Sequence, residues 1–574
     1  MLSRLLRNDE PSVYVQAAWE DVADEALPRP PLREGLGTSH LKVSTRVPLA
    51  QAYFDQGLSL LHLGWGPEAR RSFAEAARLD PELAMAWWGL ALTRGAGARF
   101  AAARADAMAR ALALSEGLPD VEQRYIVAAS LLAEKGPSNG RHAFVREMES
   151  LVDRYPEDSE ARLLLAGFLA DGYEPDGRPG QGQPYAQVML RELLRTNPDH
   201  SGVHFAWVST MLPSARPEAA RESALRLPKL APGASFALLA SGRLLGRLGE
   251  TDAAYRVLEA AVEADDVYLA RESLPAVFAP CAELAMRLLS QGCAEAGQYS
   301  DAQTWARRLR QRVESAGGEP QALLFAATTL VATHLRFGFC RAAADVQLEF
   351  AGELTTAERV LRDGVRLYTR GINALDGGRL SDVERACVAL EQLQPSLSEV
   401  RRSEGRALCP RDVARVLEVA ENELRGSLEA RRGDGGRAEA TLIRAWRMER
   451  RLRASGPAPF SRPARETLAR ARLRGEREEK ALELARALVV ARPGCGHFRL
   501  LLAEARAALG DRVLAVQDFN SFLDRWRDAD AHLPELRRAR TYVDGRGRIL
   551  RLVHTTEAPF PVPPDFRPLE KVSC

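Results

Sequence analysis

The chain has 574 residues, 46% hydrophobic and 27% charged, with 79 basic against 77 acidic side chains. That balance is ordinary for a folded protein and gives no charge excess for wholesale binding of nucleic acid or an anionic membrane. The seven cysteines, at 281, 293, 340, 387, 409, 495 and 574, form no C-x-x-C pair, which excludes a disulfide framework and a zinc ribbon.

They read as reduced, buried thiols. The opening "MLSRLLRNDEPSVYVQ" lacks the apolar stretch of a signal peptide, and no run long enough to span a bilayer occurs. The expectation is a soluble, cytoplasmic protein. Only five basic residues are lysine, so an acidic partner would meet guanidinium forks rather than ammonium points.

In chain order, residues 1–48 read as a lead-in helix followed by a Pro-rich arm, "ALPRPPLREGLG". Then comes "QAYFDQGLSLLHLGWGPEARRSFAEAARLDPELAMAWWGLALTRG", 51–95, where Gly57, Leu60, Ala69, Phe73, Ala76 and Pro81 take the spacing of two antiparallel helices and a turn. Small residues let the helices approach, large ones fill the gap, and proline stops the second helix. Ala91, in the next unit, lies 34 residues after Gly57. This pattern resembles the tetratricopeptide repeat (TPR).

The beat is strictest around the middle of the first half. Ala186, Ala220 and Ala254 are each 34 apart, as are Leu190, Ala224 and Leu258, and Leu193, Leu227 and Ala261. Pro198 and Pro232 close successive units. Weaker units follow near 283–312, 324–353, 364–393, 421–450, 461–493 and 496–525. The reading is an all-α TPR solenoid, a right-handed superhelix of antiparallel helix pairs, each burying its apolar face against its neighbours. Its expected parts are an N-terminal arm (1–48), an N-terminal array (49–312), degenerate repeats (313–420), a C-terminal array (421–544) and a Pro-rich tail (545–574), with a short strand-like run at Ile549–His554. The Gly/Pro loop 171–184 is too long for an ordinary inter-helix turn.

Motifs for nucleotide binding, nucleophilic hydrolysis and zinc proteolysis are absent. The basic clusters "RRLRQR" (307–312) and "RMERRLR" (447–453) lack interleaved aromatics and read as solvated helix faces. "NPDHSGVHFAW" (197–207) carries His200 and His204 four residues apart, half of a helical metal arrangement. A third donor would have to come from Cys281, Glu218, Glu222 or a distant loop, because no other histidine lies within a repeat of the pair.

The stretch 197–266 is similar to bacterial multi-TPR proteins with the pattern "NPxHPGxxHxYIH", then "APxxxHxxHMPSHI". If that cluster holds a metal, the resemblance implies that five of its six donors are gone here. Phe205 and Ser209 stand at two histidines of the first motif, with His204 one place early, and Phe236, Leu239 and Arg243 replace those of the second. The surviving metal candidates are His200 and His204. The remodelled lining, His204, Phe205, Trp207, Phe236, Leu239 and Arg243, suits an apolar or acidic ligand better than a cation. No cofactor is expected.

Two functions follow as expectations. One is a non-catalytic scaffold binding a peptide or partner protein on the concave face, with neither nucleic acid nor membrane as partner and the oligomeric state left open. The other is an enzyme or small-molecule binder with a site enclosed by the superhelix near 200–245. The clamp for chaperone C-termini is set aside, since Phe54 and Leu58, or Phe205 and Ser209, replace the Asn and Lys it needs.

Overall fold

A computed structural model describes residues 28–93, 100–134, 136–174, 178–274, 278–279, 281–350, 352–395, 410–452 and 460–545. The expected lead-in helix, most of the Pro-rich tail and the run Ile549–His554 fall outside these residues.

The described residues are all-α, with no strand beyond an isolated bridge between Tyr173 and Pro179. The first six helices are α1 (Pro48–His62), α2 (Gly66–Leu79), α3 (Ala84–Thr93), α4 (Ala101–Ala113), α5 (Asp120–Glu134) and α6 (Gly136–Arg154). Next come α7 (Ser159–Leu169), α8 (Gln183–Thr196), α9 (Ser201–Met211), α10 (Arg221–Leu230), α11 (Ser235–Leu248) and α12 (Thr251–Glu272). The second half holds α13 (Cys281–Glu295), α14 (Tyr299–Ser315), α15 (Pro320–Arg336), α16 (Cys340–Ala344), α17 (Thr356–Asp376), α18 (Leu380–Leu393) and α19 (Pro410–Arg431). It ends with α20 (Gly435–Leu452), α21 (Ala464–Arg474), α22 (Glu478–Ala491), α23 (Gly496–Ala508), α24 (Arg512–Arg525) and α25 (Pro534–Val543).

Consecutive helices pack as TPR-type hairpins, and first helices stack on first helices along the chain. Local signals set the ends. Pro48 opens α1 where its missing N–H costs nothing, and Asp158 caps α7 by accepting from Ala161 N–H at 3.0 Å. The beat is a burial pattern: Ala186, Ala220, Leu190, Ala224, Leu193, Leu227 and Ala261 are at most 1% exposed, and Ala254 and Leu258 are 5% exposed. Phe73 is the tooth of the first unit. A Cβ at Gly57 or Gly89 would lie 2.7 or 2.5 Å from its ring, so only glycine admits it.

Among the described residues the stack curves until distant hairpins touch, and two of these closures matter most here. In the first closure α1 and α2 meet α9, α11 and α12: the Trp65 ring lies 4.8 Å from Tyr268 and 5.9 Å from Phe236, and Tyr268 donates to Glu68 at 2.7 Å. The second joins the α13–α14 turn to the α24–α25 region. Trp526 Nε1 donates to Glu295 O at 2.9 Å, and Asp530 N–H donates to Gly297 O at 3.1 Å. Gly297, at φ +80°, sits under the Trp526 ring, where a Cβ would come within 2.6 Å. An open groove from end to end is therefore not what the array presents. Between its first and its fifth and sixth hairpins the space is closed, and the arm lies in it.

Candidate functional site

α1 carries an unusual stripe. Gln51, Asp55, Ser59 and His62 follow spacings of four, four and three, so they share one face of a largely apolar helix. The arm, residues 28–47, runs along that face without regular secondary structure. Ser39 N–H donates to Ser59 Oγ (3.2 Å), Leu41 N–H to Asp55 Oδ1 (3.4 Å) and Val43 N–H to Gln51 Oε1 (3.1 Å). Gln51 Nε2 returns a bond to Leu41 O at 2.9 Å, and His40 Nδ1 meets Asp55 Oδ2 at 2.7 Å.

The register has a simple cause. Four helical residues advance about 6 Å and two residues of extended chain about 6.6 Å, so every second arm amide meets every turn of α1. Burial raises the Asp55 carboxyl above its ordinary value, opposed by the bonds from His40, Leu41 and Gln51. The arm's ends are held too. Ser44 N–H and Oγ donate to Glu122, while Tyr53 and Gln56 donate to Pro30 O and Pro31 O. On its far side Gly35 O accepts from Gly233 N–H at 2.9 Å. Gly37, at φ +87°, passes so close to Ser201 that a Cβ would collide with its hydroxyl. The glycines of "REGLG" are what let the arm thread between the first hairpin and the far wall.

At the foot of the stripe lies a buried cluster that sequence reading missed. Glu160 of α7 sits between two imidazoles, His62 Nε2 at 2.6 Å and His200 Nε2 at 3.0 Å, all three at most 8% exposed at the side chain. Burial works against the Glu160 charge, but His62 and His200 outweigh it and hold the carboxyl at about 2. Gly202 permits the approach, since a Cβ there would lie 2.6 Å from His62 Cβ. His62, at the end of α1, is the distant partner of His200, where Cys281, Glu218, Glu222 or a distant loop were the expected sources of a third donor.

His200 and His204 do not converge. His200 caps α9, its Nδ1 accepting from Val203 N–H at 3.4 Å while Nε2 faces Glu160. His204 turns towards α10: Nε2 donates to Pro198 O at 2.7 Å and Nδ1 accepts from Ser223 Oγ at 2.9 Å. Burial lowers its basicity. Both nitrogens of His204 are engaged by protein groups, and among the described residues no three His, Cys, Asp or Glu side chains are arranged to hold a metal ion.

The other expected ligand-binding residues are spread over two packing layers. Trp207 donates to Ala219 O at 3.0 Å under the Arg191 guanidinium, and Phe205 belongs to the same core. Leu239 packs in the second core with Leu258 and Cys281. Phe236 lies half-buried against Trp65, and Arg243 is half-buried. Of the basic cluster 307–312, Arg308 stacks on Trp305, Arg310 pairs with Glu314 and Arg312 with Asp266. No described helix is long and apolar enough to cross a membrane.

No family model and no curated protein matches the sequence. Among solved structures the chain is similar to a human IFIT1 dimer with m7Gppp-AAAA, at 12% identity over 91% of this chain and 94% of that one, TM-score 0.33. Yeast Tom70 gives 12% identity over 87% and 96%, TM-score 0.32. The TPR domain of P58(IPK) gives 13% over 68% and 99%, TM-score 0.19.

Proposed function

We propose that the chain is a non-catalytic scaffold that holds an extended peptide or partner-protein segment against the polar stripe of α1, on the concave side of the superhelix. The observation that carries this reading is the alternate-residue bonding of Ser39, Leu41 and Val43 to Ser59, Asp55 and Gln51. These contacts read backbone, so they would accept another sequence in the same conformation. The partner is a polypeptide rather than a nucleic acid: Asp55, Asp80 and Glu122 line the arm's path, and carboxylates repel phosphates.

A photo-crosslinking residue at position 59 tests this in extracts of the source cells. The expected product is an adduct with a protein, destroyed by protease and reduced when Asp55 is replaced by Lys. An adduct sensitive to nuclease, or one indifferent to Asp55→Lys, would contradict it.

A further inference from the structure

Beyond the stripe the arm ends in a built pocket. Arg33 is only 9% exposed at its side chain, and its Nη2 lies 2.7 Å from Glu68 Oε2 and 3.6 Å from Glu272 Oε1. Its guanidinium carbon sits 4.6 Å from the Tyr268 ring centroid and 5.6 Å from that of Trp65. The walls come from opposite ends of the first closure, Trp65 and Glu68 from the first hairpin, Tyr268 and Glu272 from α12. Two acids and two aromatic faces around one planar cation make a guanidinium cage.

Arg71 supplies the other buried guanidinium, 2.7 Å from Glu68 and 3.4 Å from Glu272. Without Arg33 the two carboxylates would share a single cation, a costly arrangement at this burial. The grip on Arg33 is nevertheless incomplete: its Nε and Nη1 have no hydrogen-bond partner. Just before it, Pro30 and Pro31 present carbonyls to Tyr53 and Gln56 and stiffen the entering chain.

We propose that this cage is a specificity pocket for arginine, and that the arm fills it as a tethered stand-in for a partner segment of the form Pro-Pro-x-Arg. The proposal rests on the groove reading above and adds what the groove selects. The tether supplies the stand-in at an effective concentration on the order of millimolar, so a free segment competes poorly until the arm's own arginine is removed.

The test is fluorescence anisotropy with a labelled synthetic peptide of residues 28–43. It is measured on the full chain and on its Arg33→Ala variant, with the parent peptide and with peptides changed Arg33→Ala and Arg33→Lys. The expected result is binding to the variant chain roughly tenfold or more tighter than to the parent chain. The Ala peptide loses roughly tenfold or more, and the Lys peptide falls between, because ammonium lacks the planar stack. Equal binding of parent and Ala peptides, or none of either to a folded variant, overturns the proposal.

Should the variant not fold, a chain with a protease site inserted between Arg46 and Val47 is folded first and then cut. Exchange of the cut arm for excess labelled peptide supports the proposal; overnight retention of the cut arm overturns it. The probe is the chain's own segment, so exchange with no captured partner defeats only the scaffold reading. A captured partner with no exchange defeats only the cage.

Discussion

At the residue scale, two buried groups set separate acid-sensitive windows. Burial, with Arg307 adding to it, holds His334 at about 4 against an ordinary 6.5, its Nδ1 accepting from Tyr299 OH at 2.8 Å. A base with a depressed folded value leaves the unfolded chain taking up the proton first. Its stabilising effect is therefore full above about pH 6.5 and is lost as pH falls towards 4. His334→Gln is expected to flatten the stability profile across that interval in chemical denaturation. Glu160 acts lower: its carboxyl stands at about 2 in the fold against 4.5 ordinarily. Its contribution, about 3 kcal/mol, is complete above about pH 4.5 and disappears as pH drops through 2. Glu160→Gln should lower the denaturation midpoint at neutral pH and remove the slope between 4.5 and 2; an unchanged slope would show that the two imidazoles do not hold this carboxylate.

At the scale of elements, the helices were legible and their meeting was not. The nine residues of the strict beat are buried because a period of 34 returns the same face of each hairpin to its neighbour. His62 and Glu160 were invisible for a converse reason. Glu160 lies 98 residues beyond His62, and only the summed curvature of intervening hairpins brings α1, α7 and α9 together. One signal was available: four polar residues on a single face of a largely apolar helix ask for a partner, and the Gly-rich arm just upstream supplies it. Gly202 is the hinge-pin of this junction. Gly202→Ala would drive a methyl into His62, and the expected loss is about 1–3 kcal/mol, read by thermal unfolding. No loss, or the gain of about 1 kcal/mol that Gly→Ala gives at an exposed helical position, would mean that α1 and α9 are not in contact.

For the whole molecule, self-contact changes how the fold should come apart. An open solenoid contacts only nearest neighbours, so its terminal hairpin can fray alone. Here the first hairpin is held by Trp65 on Tyr268 and Phe236, by Arg71 on Glu272 and by the arm's bond to Gly233. Trp65→Ala is expected to cost about 3–5 kcal/mol. Hydrogen exchange should then rise together in α1 and α12, which are far apart in sequence. A rise confined to α1 and α2 would be the signature of an open array. The closure also fixes part of the stretch 200–245. Phe236 is half-buried against Trp65, and His204 and Trp207 are occupied in fixing α10 to α9.

The central claim is that the polar stripe of α1 holds an extended peptide, and amide hydrogen exchange at Ser39, Leu41 and Val43 tests it most directly. These three amides should exchange on the order of a hundredfold more slowly than unstructured chain, and a Gln51→Ala/Asp55→Ala double variant should release Leu41 and Val43 while leaving α2 protected. Exchange at the unstructured rate in the unaltered protein would mean that the arm does not occupy the stripe, and the account would fail.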